Sequence, residues 1–119
     1  MNKHIQIVED DGDIRFIVEY ILEDANYVVE TFENATTFNN RARIADVDLI
    51  ILDVMLPDGN GIDLCRNLKM SDKTDKIPVI IMSAHAGSQS VLEEACADDF
   101  INKPFDLDNF LTRVKKILS

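Results

Sequence analysis

Positive charge is scarce in this chain: 12 lysines and arginines stand against 22 aspartates and glutamates in 119 residues, a formal net charge of −10. Nucleic-acid binding rests largely on basic side chains neutralising phosphates. A chain this acidic is expected to bind neither DNA nor RNA by itself. Long apolar runs are missing as well. No stretch approaches the ~20 apolar residues that cross a bilayer, and no basic segment followed by an apolar one marks a secretory leader. The expectation is a soluble, cytoplasmic protein with no membrane partner. The two cysteines, Cys65 and Cys96, stand far apart, form no C-x-x-C and have small or apolar neighbours. They read as buried, reduced thiols rather than a disulfide or metal pair. Of the two histidines, His4 needs no functional role, and His85 has no second His or Cys nearby to make a metal site. Repeats, low-complexity tracts and interdomain linkers are absent too. With 46% hydrophobic residues the composition is that of an ordinary globular domain, read here as one domain over 1–119.

What the chain does have is a series of apolar runs that end in polar chemistry. Val47 to Leu52 is apolar except for Asp48, is rich in β-branched residues, and leads through Asp53 into the turn Val54-Met55-Leu56-Pro57-Asp58-Gly59. That pattern is a strand buried on both faces. Ile5 to Val8 is a second run and ends in Glu9-Asp10-Asp11; Val79 to Met82 is a third and ends in Ser83. If the strands are parallel neighbours, these side chains converge on one edge of the sheet, where open α/β sheets bind ligands.

Helical spacing fills the intervals. Ile14, Ile17, Val18, Ile21 and Leu22 form one apolar stripe, with Asp11 or Asp13 available as its cap. Tyr27 to Phe32 reads as a strand, Asn34 to Ala45 as a weakly patterned helix, and Asn60 to Met70 as a helix with Ile62, Leu64, Cys65 and Leu68 turned inward. Ser71 to Lys76 is a charged loop. A short helix over Ser88 to Ala95, a strand over Asp99 to Asn102 and a final helix from Leu107 to Leu118 complete the count. Five strands alternating with five helices imply right-handed βαβ crossovers and a parallel sheet covered on both faces.

Glu9, Asp10 and Asp53 within ~5 Å of one another would repel by about 3 kcal/mol per pair at an effective dielectric near 20. Packing alone calls for no such cluster. A hard divalent cation such as Mg²⁺ removes the conflict, because it takes oxygen ligands and commonly bridges carboxylates to a phosphate. Lys103, just past the fifth strand, would add the balancing charge and a contact for a phosphoryl oxygen, and Ser83 a hydroxyl. Taken singly, an Asp or Ser after a strand is usually a cap or a turn former; the five together at successive strand ends are not.

The segments Val8-Glu9-Asp10-Asp11, Leu52-Asp53-Val54-Met55-Leu56-Pro57-Asp58-Gly59, Met82-Ser83-Ala84 and Lys103-Pro104-Phe105 together resemble the receiver domain of bacterial two-component response regulators. The resemblance covers essentially the whole chain. It implies a flavodoxin-like (βα)5 fold with strand order 2-1-3-4-5 and a phosphoryl group passed to Asp53 from a phosphohistidine on a sensor histidine kinase or phosphotransfer protein. It further implies Mg²⁺ held by Glu9, Asp10, Asp53 and the backbone carbonyl of Met55, and a phosphoryl group contacted by Lys103 and the backbone at Ala84. Ser83 and Phe100 match the family's switch pair, although Phe100 reads equally well as a plain core aromatic. Met55 and His85 flank the path of hydrolytic water. The output surface, a face of the fourth helix, fifth strand and fifth helix, would meet a second copy or an effector domain. Such a protein is a phosphoacceptor without a turnover substrate. Because three acids follow the first strand, Asp10-Asp11 is an alternative cation pair; Glu9-Asp10 fits the family register and leaves Asp11 free to cap. Cys96 stands where the family usually has glycine, and the interval from Ser83 to Lys103 is short.

Two rival readings compete. A haloacid-dehalogenase-type hydrolase also forms an aspartyl phosphate, but it wants a second Asp two residues on, where this chain has Met55. A nucleotide- or flavin-binding module could use Gly59-Asn60-Gly61 as its phosphate loop, but Leu64 stands where the third glycine of G-x-G-x-x-G belongs, and the turn follows the third strand rather than the first.

Overall fold

A computed structural model of the protein describes residues 2–84 and 97–119. Its strands are β1 (His4–Val8), β2 (Val28–Phe32), β3 (Leu49–Asp53), β6 (Val79–Ser83) and β7 (Asp99–Asn102), with a two-residue hairpin of β4 (Met55–Leu56) and β5 (Gly59–Asn60) between β3 and β6. The five longer strands form one sheet in the order β2-β1-β3-β6-β7, and every pair in it is parallel. This is the flavodoxin-like order expected from the alternation, with β6 and β7 as the fourth and fifth strands. Around the sheet lie α1 (Gly12–Asp24), α2 (Ala35–Asn39), α3 (Gly61–Met70) and a C-terminal helix, Leu107–Leu118. None of the described helices is long and apolar enough to cross a membrane.

The period-2 geometry of a strand divides the core into two. Ile50 and Leu52 face Phe38, Leu64, Cys65 and Leu68 on the α2 and α3 side, together with Val8, Ile81 and Phe100. Leu49 and Ile51 face Val18, Leu22, Phe110 and Val114 on the other side, with Ile5, Ile7, Ile80, Met82 and Ile101. All five residues of β3 are buried, as a central parallel strand between two helical layers requires. At ~2 kcal/mol or so per large apolar side chain removed from water, these two clusters supply the bulk of the fold's stabilisation.

Three elements differ from the sequence expectation. The helix expected over Asn34 to Ala45 stops at Asn39. Ala35 and Phe38 are buried, but Ala42 and Ala45 are exposed and give the segment nothing to pack with. Polar groups hold it instead: the Arg41 guanidinium donates to Phe38 O at 2.9 Å and lies over the Phe38 ring, and the buried Gln6 amide donates to Arg43 O at 2.8 Å. Next, the turn after β3 is a hairpin, Met55 pairing with Asn60 and Leu56 with Gly59. Finally, α1 buries only Val18 and Leu22 fully, and Ile17 is largely exposed. Cys65 is buried as expected. The helix expected over Ser88 to Ala95, and with it Cys96, lies outside the described residues.

Candidate functional site

Strand register builds the site. Val8 of β1 is level with Leu52 of β3, Asp53 with Met82 of β6, and Ser83 with Asn102 of β7. The next residues along, Glu9, Asp53, Ser83 and Lys103, therefore emerge at one carboxyl edge although they are far apart in sequence. One carboxylate oxygen from each of Glu9, Asp10 and Asp53 lies within 4.8 Å of the others. Asp53 is 6% exposed and Glu9 is fully buried, whereas Asp10 is open to solvent.

Lys103 sits between the two buried acids. Its ammonium donates to Asp53 Oδ2 at 2.9 Å and stands 2.5 Å from Glu9 Oε1, the latter a close ion pair rather than an aligned hydrogen bond. Its own amide donates to Ser83 O at 2.8 Å, which pins β7 to β6 at this edge. The following Lys103–Pro104 peptide bond is cis. Asp53 Oδ1 accepts from Met55 N at 3.3 Å. Glu9 is held at three points: its amide donates to Phe32 O at 2.9 Å, its carbonyl accepts from the Arg15 guanidinium at 2.8 Å, and Oε2 accepts from Asp11 N at 3.2 Å. Asp11 caps α1 by accepting from Asp13 N and Ile14 N, so its carboxylate is committed to the helix and the acid pair at the cluster is Glu9 and Asp10.

Charge and burial oppose one another here. Burial pushes the Glu9 carboxyl up to about 7, the Lys103 ammonium pulls the other way, and the neighbouring Asp53 carboxylate adds to the rise. For Lys103, burial acts to lower the ammonium, but Glu9 and Asp53 together outweigh it and leave the group raised. The Glu9 shift carries a stability consequence. An unfolded glutamate titrates near 4.5, so the folded protein holds this proton more tightly than the unfolded chain. Stability is then fullest below about pH 4.5 and is lost as pH climbs through about 7, by roughly 3 kcal/mol for a shift of this size. Urea melts of the metal-free protein should show that decline between about pH 4.5 and 7, and Glu9→Gln should flatten it. A variant declining as steeply as the wild type would trace the effect to other groups.

The other expected site residues divide. Ser83 is buried at the end of β6, and Ala84 follows it, exposed. Met55 is 59% exposed at the rim. Phe100 packs in the α2 and α3 cluster. His85 lies outside the described residues. Three further contributors have no role at this site in the sequence reading. Gly61, the first residue of α3, passes so close to the end of β3 that a Cβ there would stand 2.1 Å from Asp53 O. Its amide donates to Val54 O at 2.9 Å. A glycine that closes a Pro/Gly turn before a helix was the available signal. Arg15 and Asp58, which reaches α2, gave none, because a lone Arg on a helix and an Asp in a turn both have ordinary local uses.

The arrangement suits phosphoryl chemistry. It offers a nearly buried carboxylate at the sheet edge, an ammonium paired with it, and an acid pair with the oxygen donors a hard divalent ion takes. Glu9, Asp10 and Asp53 each offer a carboxylate oxygen within 4.8 Å of the others, the oxygen donor set a hard divalent cation takes.

Comparison with known proteins agrees. The family model for the response regulator receiver domain matches residues 5–115. The phosphate regulon transcriptional regulatory protein PhoB of Pseudomonas aeruginosa is 38% identical over 122 aligned residues, which cover 99% of this chain and 52% of that protein. The response regulator ArlR of Staphylococcus aureus is 36% identical over 116, covering 96% of this chain and 52% of that one. The chain thus spans about half the length of these curated relatives. Among solved structures, the non-phosphorylated HemR receiver domain from Leptospira biflexa superposes with a TM-score of 0.89 at 36% identity, covering 99% of this chain and 95% of that one.

Proposed function

This chain belongs to the response regulator receiver domain family of two-component signalling, and we propose that Asp53 is its phosphoacceptor. The observation that carries the reading is the Asp53 carboxylate at the sheet's carboxyl edge, paired with Lys103 and beside Glu9 and Asp10. An Asp53 oxygen attacks phosphorus in line. The new O–P bond forms as the P–N bond to a donor imidazole breaks, and the electron pair leaves with that imidazole. Positioning and charge stabilisation do the work, and no general base is needed, because the nucleophile is already a carboxylate. Lys103 then exchanges its contact with Asp53 for one with a phosphoryl oxygen, and the backbone at Ala84 donates to another. Ser83 and Phe100 serve as the switch pair that relays the change to the output face.

Glu9, Asp10, Asp53 and the Met55 carbonyl would hold Mg²⁺, which when bound neutralises charge developing on the phosphoryl oxygens. Asp10 makes no ion pair or hydrogen bond among the described residues, so in the metal-free protein its charge is set against the Glu9 and Asp53 carboxylates without a direct partner. Asp10→Asn is expected to raise metal-free stability by about 1 kcal/mol. That gain should vanish in millimolar Mg²⁺, which stabilises the wild type by binding the native state. Thermal melts with and without the ion decide it: if Asp10→Asn melts lower than wild type without metal, the acids are not neighbours. Asp53→Asn is a less clean probe, because it also removes a partner of Lys103.

The phosphoryl donor is a sensor histidine kinase or phosphotransfer protein, and small donors such as acetyl phosphate should substitute for it. Incubated with acetyl phosphate and Mg²⁺, the protein should gain the mass of one phosphoryl group and no more, and chelator should prevent the gain. No uptake with the ion present overturns the reading. A hydrolase of the haloacid-dehalogenase type is disfavoured because its acid/base position holds Met55, an exposed thioether. A phosphate loop at Gly59 to Gly61 is disfavoured because Gly61 lies against the Asp53 backbone.

A further inference from the structure

Asp58, at the tip of the β4–β5 hairpin, reaches a helix more than twenty residues earlier in the chain. Its Oδ1 accepts from Ala35 N at 2.7 Å, and its Oδ2 accepts from Thr36 N at 2.9 Å and from the Thr36 hydroxyl. These donors, the Thr36 hydroxyl first among them, hold the Asp58 carboxyl below the usual range, so it is ionised at neutral pH. Gly59 comes equally close: a Cβ there would meet Ala35 Cβ at 3.0 Å.

Asn34 caps α2 at the next amide, its side chain accepting from Thr37 N at 2.8 Å and from the Thr37 hydroxyl at 2.8 Å. Asp58 takes the two amides before it, and because it sits on the hairpin the same contact fastens that hairpin to the helix. The base of that hairpin is Met55, whose amide donates to Asp53 Oδ1 and whose cross-strand partner is Asn60. On its far side the hairpin is tied through Asn60, the α3 cap, which accepts from Ile62 N at 2.7 Å, and through Gly61 against Val54. Asp58 is the anchor at the free end.

We infer that Asp58 is a positioning residue for the cation site: by fastening the hairpin tip to the first turn of α2, it fixes the Met55 peptide beside Asp53. The inference rests on the reading of Glu9, Asp10, Asp53 and the Met55 carbonyl as the cation's ligands. Groups that orient metal ligands from outside typically change metal affinity by about 10- to 100-fold when removed. Loss of a hairpin anchor belongs at the low end.

The test is Mg²⁺ affinity of the whole chain, measured by calorimetry or by NMR titration with the ion alone at fixed ionic strength. Asp58→Ala should bind about tenfold more weakly than wild type. Asp58→Asn, which loses the same charge but keeps an oxygen acceptor for Ala35 N, should lie between the two. Asn34→Ala weakens α2 without touching the hairpin and should bind Mg²⁺ as wild type does. Equal affinities for wild type and Asp58→Ala overturn the inference and leave the cation site standing. Identical losses in Asp58→Ala and Asp58→Asn overturn it by showing that net charge alone is at work, and an equal loss in Asn34→Ala does so by showing that α2 stability is. A wild type that binds no Mg²⁺ overturns the site itself.

Discussion

Asp53→Asn is expected to take up no phosphoryl group at all, from acetyl phosphate or from a phosphorylated kinase, under conditions where the wild type is modified to completion. The carboxamide that replaces the carboxylate carries no charge and is a poor nucleophile at phosphorus. Glu9 is buried under Lys103, and Asp10, open to solvent, has no ion pair with Lys103 among the described residues, so neither matches the placing of Asp53. The fold should survive, because Lys103 keeps its ion pair with Glu9 at 2.5 Å and the carboxamide keeps an oxygen that can accept from Met55 N. Intact-mass spectra separate the outcomes: wild type shifted and variant unshifted is the expected pair, with circular dichroism showing both folded. Comparable shifts in the two would place the phosphoacceptor elsewhere.

Gly61→Ala should be the most damaging glycine-to-alanine change among the described residues. The added methyl would stand 2.1 Å from Asp53 O, 2.8 Å from Asp53 C and 3.1 Å from Val54 Cα. These are main-chain atoms, so no rotamer relieves the clash; either α3 or the end of β3 must move. Overpacking of this kind costs on the order of 3 kcal/mol, and whatever movement relieves it displaces Asp53, the proposed phosphoacceptor. A displacement near 1 Å can cost about a hundredfold in rate, so phosphorylation should slow by at least tenfold even in molecules that remain folded. Urea melts and initial phosphorylation rates check both halves. A variant as stable and as reactive as wild type would mean that the close approach is not real.

How much of this was legible in the sequence depended on which residues act through pattern and which through contact. The strands showed themselves because both faces of each are buried, which forces continuous β-branched runs such as Leu49 to Leu52. Glu9, Asp53, Ser83 and Lys103 followed from position alone, since a parallel sheet sends every strand end to one edge. The second helix was overestimated because Ala42 and Ala45 fit the spacing while the polar grip of Arg41 and Gln6 on the chain leaves no trace in periodicity. Asp58 was invisible for the same reason: its partners, Ala35 and Thr36, are backbone amides in a helix distant in sequence. Three consecutive acids after the first strand look alike in sequence, and only the fold separates them: Asp11 caps α1, whereas Glu9 and Asp10 lie beside Asp53.

The pairing of Lys103 with a carboxylate 50 residues earlier has a consequence for how the protein folds. Lys103 follows the last strand and Glu9 the first, and β3 and β6 stand between them in the sheet. Contacts so far apart in sequence carry a large loop-closure cost and form late. The crowded carboxylates therefore cannot slow the early collapse, in which they are still apart; their repulsion falls on the finished sheet. A cation that relieves it should leave the refolding rate nearly unchanged and slow unfolding, so that it lengthens the lifetime of the native state rather than guiding the chain toward it.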